Sequence, residues 1–219
     1  MKRTLIIMLA ALLALPTFAQ YQRRYNGNRV ETIPHNSHKN ASYYGLRLGV
    51  AAATVSSDDP ALNGSSTQAG LNVGVVAGFQ LVPSSPIYFE TGLFYTEKGG
   101  KGTFEGRKFT YDLNYLQLPL VIKYVIDVDG DFTVQPFVGG YLACGVSGKI
   151  KDYGDRRSFS SFDEDYFSRF DGGLKIGCGA QYDLIYGELG YDFGLANISH
   201  DTFDTAHNGC FYFNVGVNF

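Results

Sequence analysis

Eight stretches of this chain alternate apolar residues with small or polar ones at a period of two, and no other feature narrows its fold as far. In 70–81 the odd positions are Leu71, Val73, Val75, Ala77, Phe79 and Leu81, against Asn72, Gly74, Gly78 and Gln80. In 210–219 they are Phe211, Phe213, Val215, Val217 and Phe219, against Asn214, Gly216 and Asn218. The same alternation runs through 43–53, 87–98, 115–124, 132–143, 170–182 and 185–195. A helix would return its apolar residues every three to four positions, whereas strict alternation specifies strands with two unlike faces. We expect an all-β chain of eight strands, each about 10 residues long.

The connections sharpen the expectation. VPSSP, IDVDGD and Asp183-Leu184 are short, while 54–69, 99–107, 147–169 and 196–209 are long and polar. Short turns alternating with long loops around an even number of strands specify an eight-stranded antiparallel transmembrane β-barrel. Its topology is an up-and-down meander, with periplasmic turns and surface loops. A soluble barrel shares the period, so the two phases must decide. The polar phase collects Gly45, Gly49, Gly74, Gly78, Gly92, Gly173, Gly177, Gly179 and Gly190. Glycine is poor in strands and gains nothing on a wet surface. Inside a narrow eight-stranded barrel it makes room for a few long polar side chains. In the apolar phase Tyr44, Phe79, Phe89, Tyr95, Tyr124, Phe132, Phe170, Tyr182, Phe193, Phe211 and Phe219 gather near strand ends. Leu48, Val75, Leu93, Leu120, Val138, Ile176 and Val215 fill the middles, as a bilayer with two interfaces requires.

The first residues carry Lys2 and Arg3, then eleven apolar residues from Leu5 to Leu15, then Thr17-Phe18-Ala19. That is the layout of a secretory signal cut between Ala19 and Gln20. The apolar run is too short to span as a helix, which needs about 20 residues. We expect 1–19 to be a cleaved signal peptide, 20–41 a flexible periplasmic lead-in without periodicity, and 42–219 the barrel. Cleavage takes the formal charge from −3 to −5 by removing Lys2 and Arg3, and no basic block remains, which argues against nucleic acid as a partner. Cys144, Cys178 and Cys210 are odd in number and lack metal spacing, so they read as free thiols.

Five segments carry a family resemblance: NYLQLPLVIKY (114–124), QPFVGGYLACG (135–145), FDGGLKIGCGAQYDL (170–184), LGYDFGLANIS (189–199) and the terminal NVGVNF. In these the chain resembles the small outer-membrane β-barrel proteins of Bacteroidetes, the porin-family or PorT-like group. The resemblance implies residence in the outer membrane and insertion by the barrel assembly machinery, with Phe219 closing the last strand as the signal read. It implies no single role, because members differ. Pro119 sits within the fourth strand, where it cannot donate to a ladder, and a closed barrel offers no edge. A bulge is therefore expected at Pro119.

The inward phase carries Arg47, Glu90, Lys123, Lys175, Glu188 and Asp192. They either line a narrow pore or cross-link a plug, and the small bore of eight strands favours the plug. The hairpin QYDLIYG places Tyr182 opposite Ile185, and so Lys175 opposite Asp192. Among the loops, 151–170 mixes both charge signs with aromatics, a composition suited to binding. The loop after 195 holds Ser199, His200, Asp201, Asp204 and His207, and the lead-in holds His35 and His38. A serine and its adjacent histidine cannot readily form a nucleophile–base contact, and no supporting motif accompanies them. We assign no catalytic, metal or cofactor residue. The expected protein is a monomeric, non-enzymatic outer-membrane barrel with a structural role or a partner-binding role through its loops. Its partners would be outer-membrane lipid, the assembly machinery, and an extracellular or secretion-system protein. A narrow diffusion channel and a lipid-A-modifying barrel enzyme are the alternatives.

Overall fold

The computed structural model describes residues 42–57, 64–83, 85–104, 107–129, 131–152, 158–160, 168–198 and 206–219. The signal peptide, its cut at Ala19-Gln20 and the 20–41 lead-in lie outside the described residues. Asn36–Asn218 form one compact unit holding every strand. The strands are β1 (Ser42–Ser57), β2 (Gly64–Gln80), β3 (Ile87–Phe104), β4 (Arg107–Tyr124), β5 (Ile126–Asp129), β6 (Phe132–Asp152), β7 (Ser158–Ser160), β8 (Phe170–Tyr182), β9 (Ile185–Gly194) and β10 (Ala206–Asn218).

Eight of them close a ring in the order β1-β2-β3-β4-β6-β8-β9-β10 and back to β1, every pair antiparallel. The closing ladder runs from Gly45 opposite Asn218 to Ser57 opposite Ala206. Closure leaves no edge in the wall, the condition for a sheet to cross a bilayer. Along each strand the outward side chains are exposed apolar residues such as Leu48, Val75, Leu93, Val138, Ile176 and Val215, and the inward ones are buried. Tyr44, Phe79, Tyr124, Phe132 and Tyr182 are exposed at the turn end, and Phe170, Phe193 and Phe211 toward the loop end. The turn end faces the periplasm in barrels of this kind. Phe219 follows β10 directly and is exposed.

Three expectations need correction. The first concerns the loops, several of which are strand. Residues 99–107, read as a loop, hold the ends of β3 and β4, and only 105–106 separate the two. β2 begins at Gly64, β6 runs on to Asp152 with β7 beside it, and IDVDGD contains β5. Above a membrane a ladder needs no apolar face, so the alternation that marks the wall is absent there. At 21 residues β6 is about twice the 9–11 that a tilted strand needs to cross.

The second concerns Pro119. It pairs with Tyr141 of β6 in unbroken register, with no bulge. Toward β3 the ladder lapses at Gly92 and Leu93, and resumes with Phe94 opposite Gln117 in the same register. The proline thus removes one hydrogen bond without inserting a residue. The bulge in this pair lies elsewhere: Asn114 pairs with Ser147 while Tyr115 pairs with Gly145, so Val146 is the extra residue.

The third concerns why the inward phase is rich in glycine. Rings, more than long polar chains, occupy the space. A Cβ on Gly78 would lie 2.1 Å from the Tyr43 ring, on Gly179 2.1 Å from the Tyr186 hydroxyl, on Gly190 2.3 Å from the Tyr212 hydroxyl, and on Gly177 2.4 Å from the Phe137 ring. Each glycine is the seat of a neighbouring aromatic side chain, and none could carry a Cβ without displacing it.

Candidate functional site

The lumen is the site that the sequence singles out, and its side chains stack in layers. At the turn end lies an amide layer: Asn218 donates to Gln181 Oε1 at 2.7 Å, and Gln135 Nε2 donates to Gln181 Oε1 at 3.2 Å and Thr133 Oγ1 at 3.0 Å.

Above it sits a first ionic cluster, held by β1, β3, β4 and β9. Lys123 Nζ stands 2.8 Å from Glu90 and 3.8 Å from Glu188, and donates to the Tyr186 hydroxyl at 2.7 Å. Arg47 lies 3.7 Å from Glu90, donates to Asn218 Oδ1 at 2.7 Å, and stacks 4.0 Å over the Tyr186 ring. The carboxylates accept from neutral groups as well: Glu90 from Tyr43 at 2.6 Å, and Glu188 from Tyr186 at 3.0 Å and Asn214 at 2.9 Å.

A second ionic cluster lies nearer the loop end. Lys175 Nζ is 2.6 Å from Asp192, its partner across the β8–β9 ladder, and 3.8 Å from the centre of the Tyr212 ring. Lys98 lies 3.2 Å from Asp171, 3.8 Å from Asp192 and 4.2 Å from the centre of the Tyr141 ring. Gln117 donates to Asp192 at 2.8 Å and Asn208 to Asp171 at 2.9 Å. Every lumen cation therefore meets a carboxylate and an aromatic face. A buried ion pair offsets its desolvation only with such extra contacts, and a desolvated cation–π contact contributes about 2 kcal/mol. At the loop end Val55, Leu113, Ile198 and Ala206 are fully buried, and Ile198 donates to the Ala206 carbonyl.

The six sequence-assigned charges divide between the clusters: Arg47, Glu90, Lys123 and Glu188 in the first, Lys175 and Asp192 in the second. Sequence reasoning missed Lys98 and Asp171, both at most 1% exposed. Parity was the available signal, since Lys98 shares its phase with Glu90, and Asp171 with Lys175. With these two added, the buried charges among the described residues are four cations and four anions. A cavity of about 20 Å³ remains between the clusters, beside Gln117, Asn72 and Asn214, which is room for about one water.

The candidate loop chemistry is largely out of view: Ser199, His200, Asp201 and Asp204 lie outside the described residues, as do His35 and His38. His207 is described, and its Nδ1 is engaged with the Ala196 carbonyl at 3.1 Å. Cys144 is exposed on the lipid side, Cys178 is half-buried, and Cys210 is buried in the lumen against Ala51 and Ala53.

A closed eight-stranded wall with an apolar exterior and a charged, side-chain-filled interior defines an integral outer-membrane barrel. A family model described as outer membrane protein beta-barrel domain matches residues 18–200, and the chain belongs to that family. No curated protein matches it in sequence. Among solved structures, Neisserial surface protein A is 16% identical over 82% of this chain and 98% of its own, with a TM-score of 0.48. The outer membrane protein OprG from Pseudomonas aeruginosa is 12% identical over 83% and 97%, with a TM-score of 0.46. A major outer membrane protein from Thermus thermophilus is 16% identical over 82% and 100%, with a TM-score of 0.48. The protein is located in the outer membrane.

Proposed function

We propose that this barrel is a non-enzymatic outer-membrane protein with a closed lumen, acting as a structural or partner-binding element through its surface loops. The observation that carries the reading is the balanced ionic filling: among the described residues, four buried cations against four buried anions, with a cavity of about 20 Å³ between the two clusters. A hydrated ion needs a continuous wet path, and paired charges packed against tyrosine rings disfavour one. In planar bilayers the purified protein should give no conductance steps above baseline. Regular steps would support the diffusion channel instead.

Function then falls to the outer surface. The wall already projects beyond the bilayer at β3, β4 and β6, and the sequence between β6 and β8 includes 153–157 and 161–167. Its charge and aromatic content fit a protein partner, extracellular or part of a secretion system. A protease added to intact cells should cut within 153–167. Cleavage only at VPSSP would mean that the topology is inverted. On this reading the mature chain begins at Gln20 after signal cleavage, 20–41 lies in the periplasm, Phe219 is read by the assembly machinery, and the barrel works as a monomer surrounded by outer-membrane lipid.

A further inference from the structure

We propose that the outer half of the β6–β8 seam is a groove for one phosphorylated outer-leaflet lipid, with Arg169 and Lys149 placed at the level of its headgroup. The groove, of about 400 Å³, is walled by Leu120, Leu142, Phe170, Leu174 and Leu195. Gly140 and Gly172 form its floor. These two differ from the lumen glycines. A Cβ on either would come no closer than 3.3 Å to a backbone oxygen, against 1.8 Å at Gly216 or 1.9 Å at Gly49. Packing on the outer wall thus comes close to admitting a side chain at both positions. Glycine weakens a strand, and here it leaves a furrow in the wall where an acyl chain can lie.

The second observation is the bulge at Val146. Below it the even residues Val138, Leu142, Cys144 and Val146 are the exposed, lipid-facing ones. The inserted residue reverses the phase, so that Ser147 and Lys149 are exposed outward above it. Without it Lys149 would point over the barrel mouth; bulges re-aim side chains in this way. Lys149 stands seven residues beyond Leu142, about 23 Å along the strand at the usual rise, which puts its ammonium above the acyl region. Arg169 immediately precedes the groove residue Phe170, is exposed, and is planted on the same strand by donating to the Gly145 carbonyl at 3.2 Å. A guanidinium and an ammonium above an apolar furrow complement a phosphate with an acyl chain beneath it.

This inference rests on the membrane placement and is independent of whether the loops bind a partner. The test is native mass spectrometry of the folded full chain in detergent, offered bisphosphorylated lipid A, phosphatidylethanolamine or inorganic phosphate. The wild type should retain one lipid A in preference to phosphatidylethanolamine, and inorganic phosphate should not displace it. Filling the furrow with Gly140→Leu and Gly172→Leu should weaken retention about tenfold, and Lys149→Ala with Arg169→Ala should do so at least as much. Gly187→Leu is the control, on the lipid face of β9 where a Cβ would meet nothing within 3.8 Å, and should change nothing. If the leucine pair fails to show heat-modifiable mobility, Gly140→Ala with Gly172→Ala should give an intermediate loss. Undiminished lipid A on the filled variants, equal retention of phosphatidylethanolamine, or displacement by inorganic phosphate would overturn the proposal.

Discussion

Asp192→Ala should lower the urea midpoint of the barrel in lipid vesicles further than the double variant Lys175→Ala/Asp192→Ala. Asp192 is 1% exposed and stands 2.6 Å from Lys175, 3.8 Å from Lys98 and 2.8 Å from the Gln117 amide that donates to it. Removing it alone leaves an excess cation in a bore with room for about one water, a loss of about 3–5 kcal/mol. Lys98 keeps Asp171 at 3.2 Å, so the stranded group is Lys175. Taking Lys175 away as well restores the balance and should recover part of the loss. Equal midpoints for the single and double variants would show that the two residues do not act as partners.

Gly216→Ala should prevent or severely weaken closure, while Gly187→Ala should be nearly silent. Gly216 lies opposite Arg47 on the seam that joins the first and last strands. A Cβ there would fall 1.8 Å from the Leu46 carbonyl oxygen, a backbone atom that no rotamer change can move aside. The β1–β10 ladder would have to separate, at a cost of about 3 kcal/mol or more. At Gly187 the nearest atom would be 3.9 Å away. The fraction of protein with heat-modifiable gel mobility reads both variants at once, and similar fractions would contradict the seam geometry.

How far the sequence reached follows from what alternation can encode. Within the bilayer each strand has one lipid face and one lumen face, so Leu71–Phe79 or Phe211–Val217 disclose both the strand and its phase. The two-residue turn at Asp183-Leu184, with Asp183 at φ 52°, then sets Lys175 opposite Asp192 by counting alone. Outside the bilayer no phase is apolar. That is why the ends of β3 and β4, in GGKGTFEGRKF, read as a loop. Proline's missing donor suggests a bulge at Pro119, yet a missing donor only interrupts a ladder. The real insertion, Val146, leaves no mark in composition because it is one more apolar residue in an apolar run. Lys98 and Asp171 are legible by parity, since the alternating stretches 87–98 and 170–182 include them near their ends. The tyrosine packing was not legible, since glycine shows that space exists without showing what fills it.

Cys210 offers the most direct test of a filled lumen. It is fully buried in the inward phase, opposite Asp192 on β9. With Cys144→Ser and Cys178→Ser removing the other two thiols, the folded barrel should leave Cys210 unlabelled by a charged, water-soluble thiol reagent added from either side, and urea unfolding should make it fully reactive. Rapid labelling of Cys210 in the folded state would mean that water and ions reach the ionic layers, and the closed lumen would have to be abandoned.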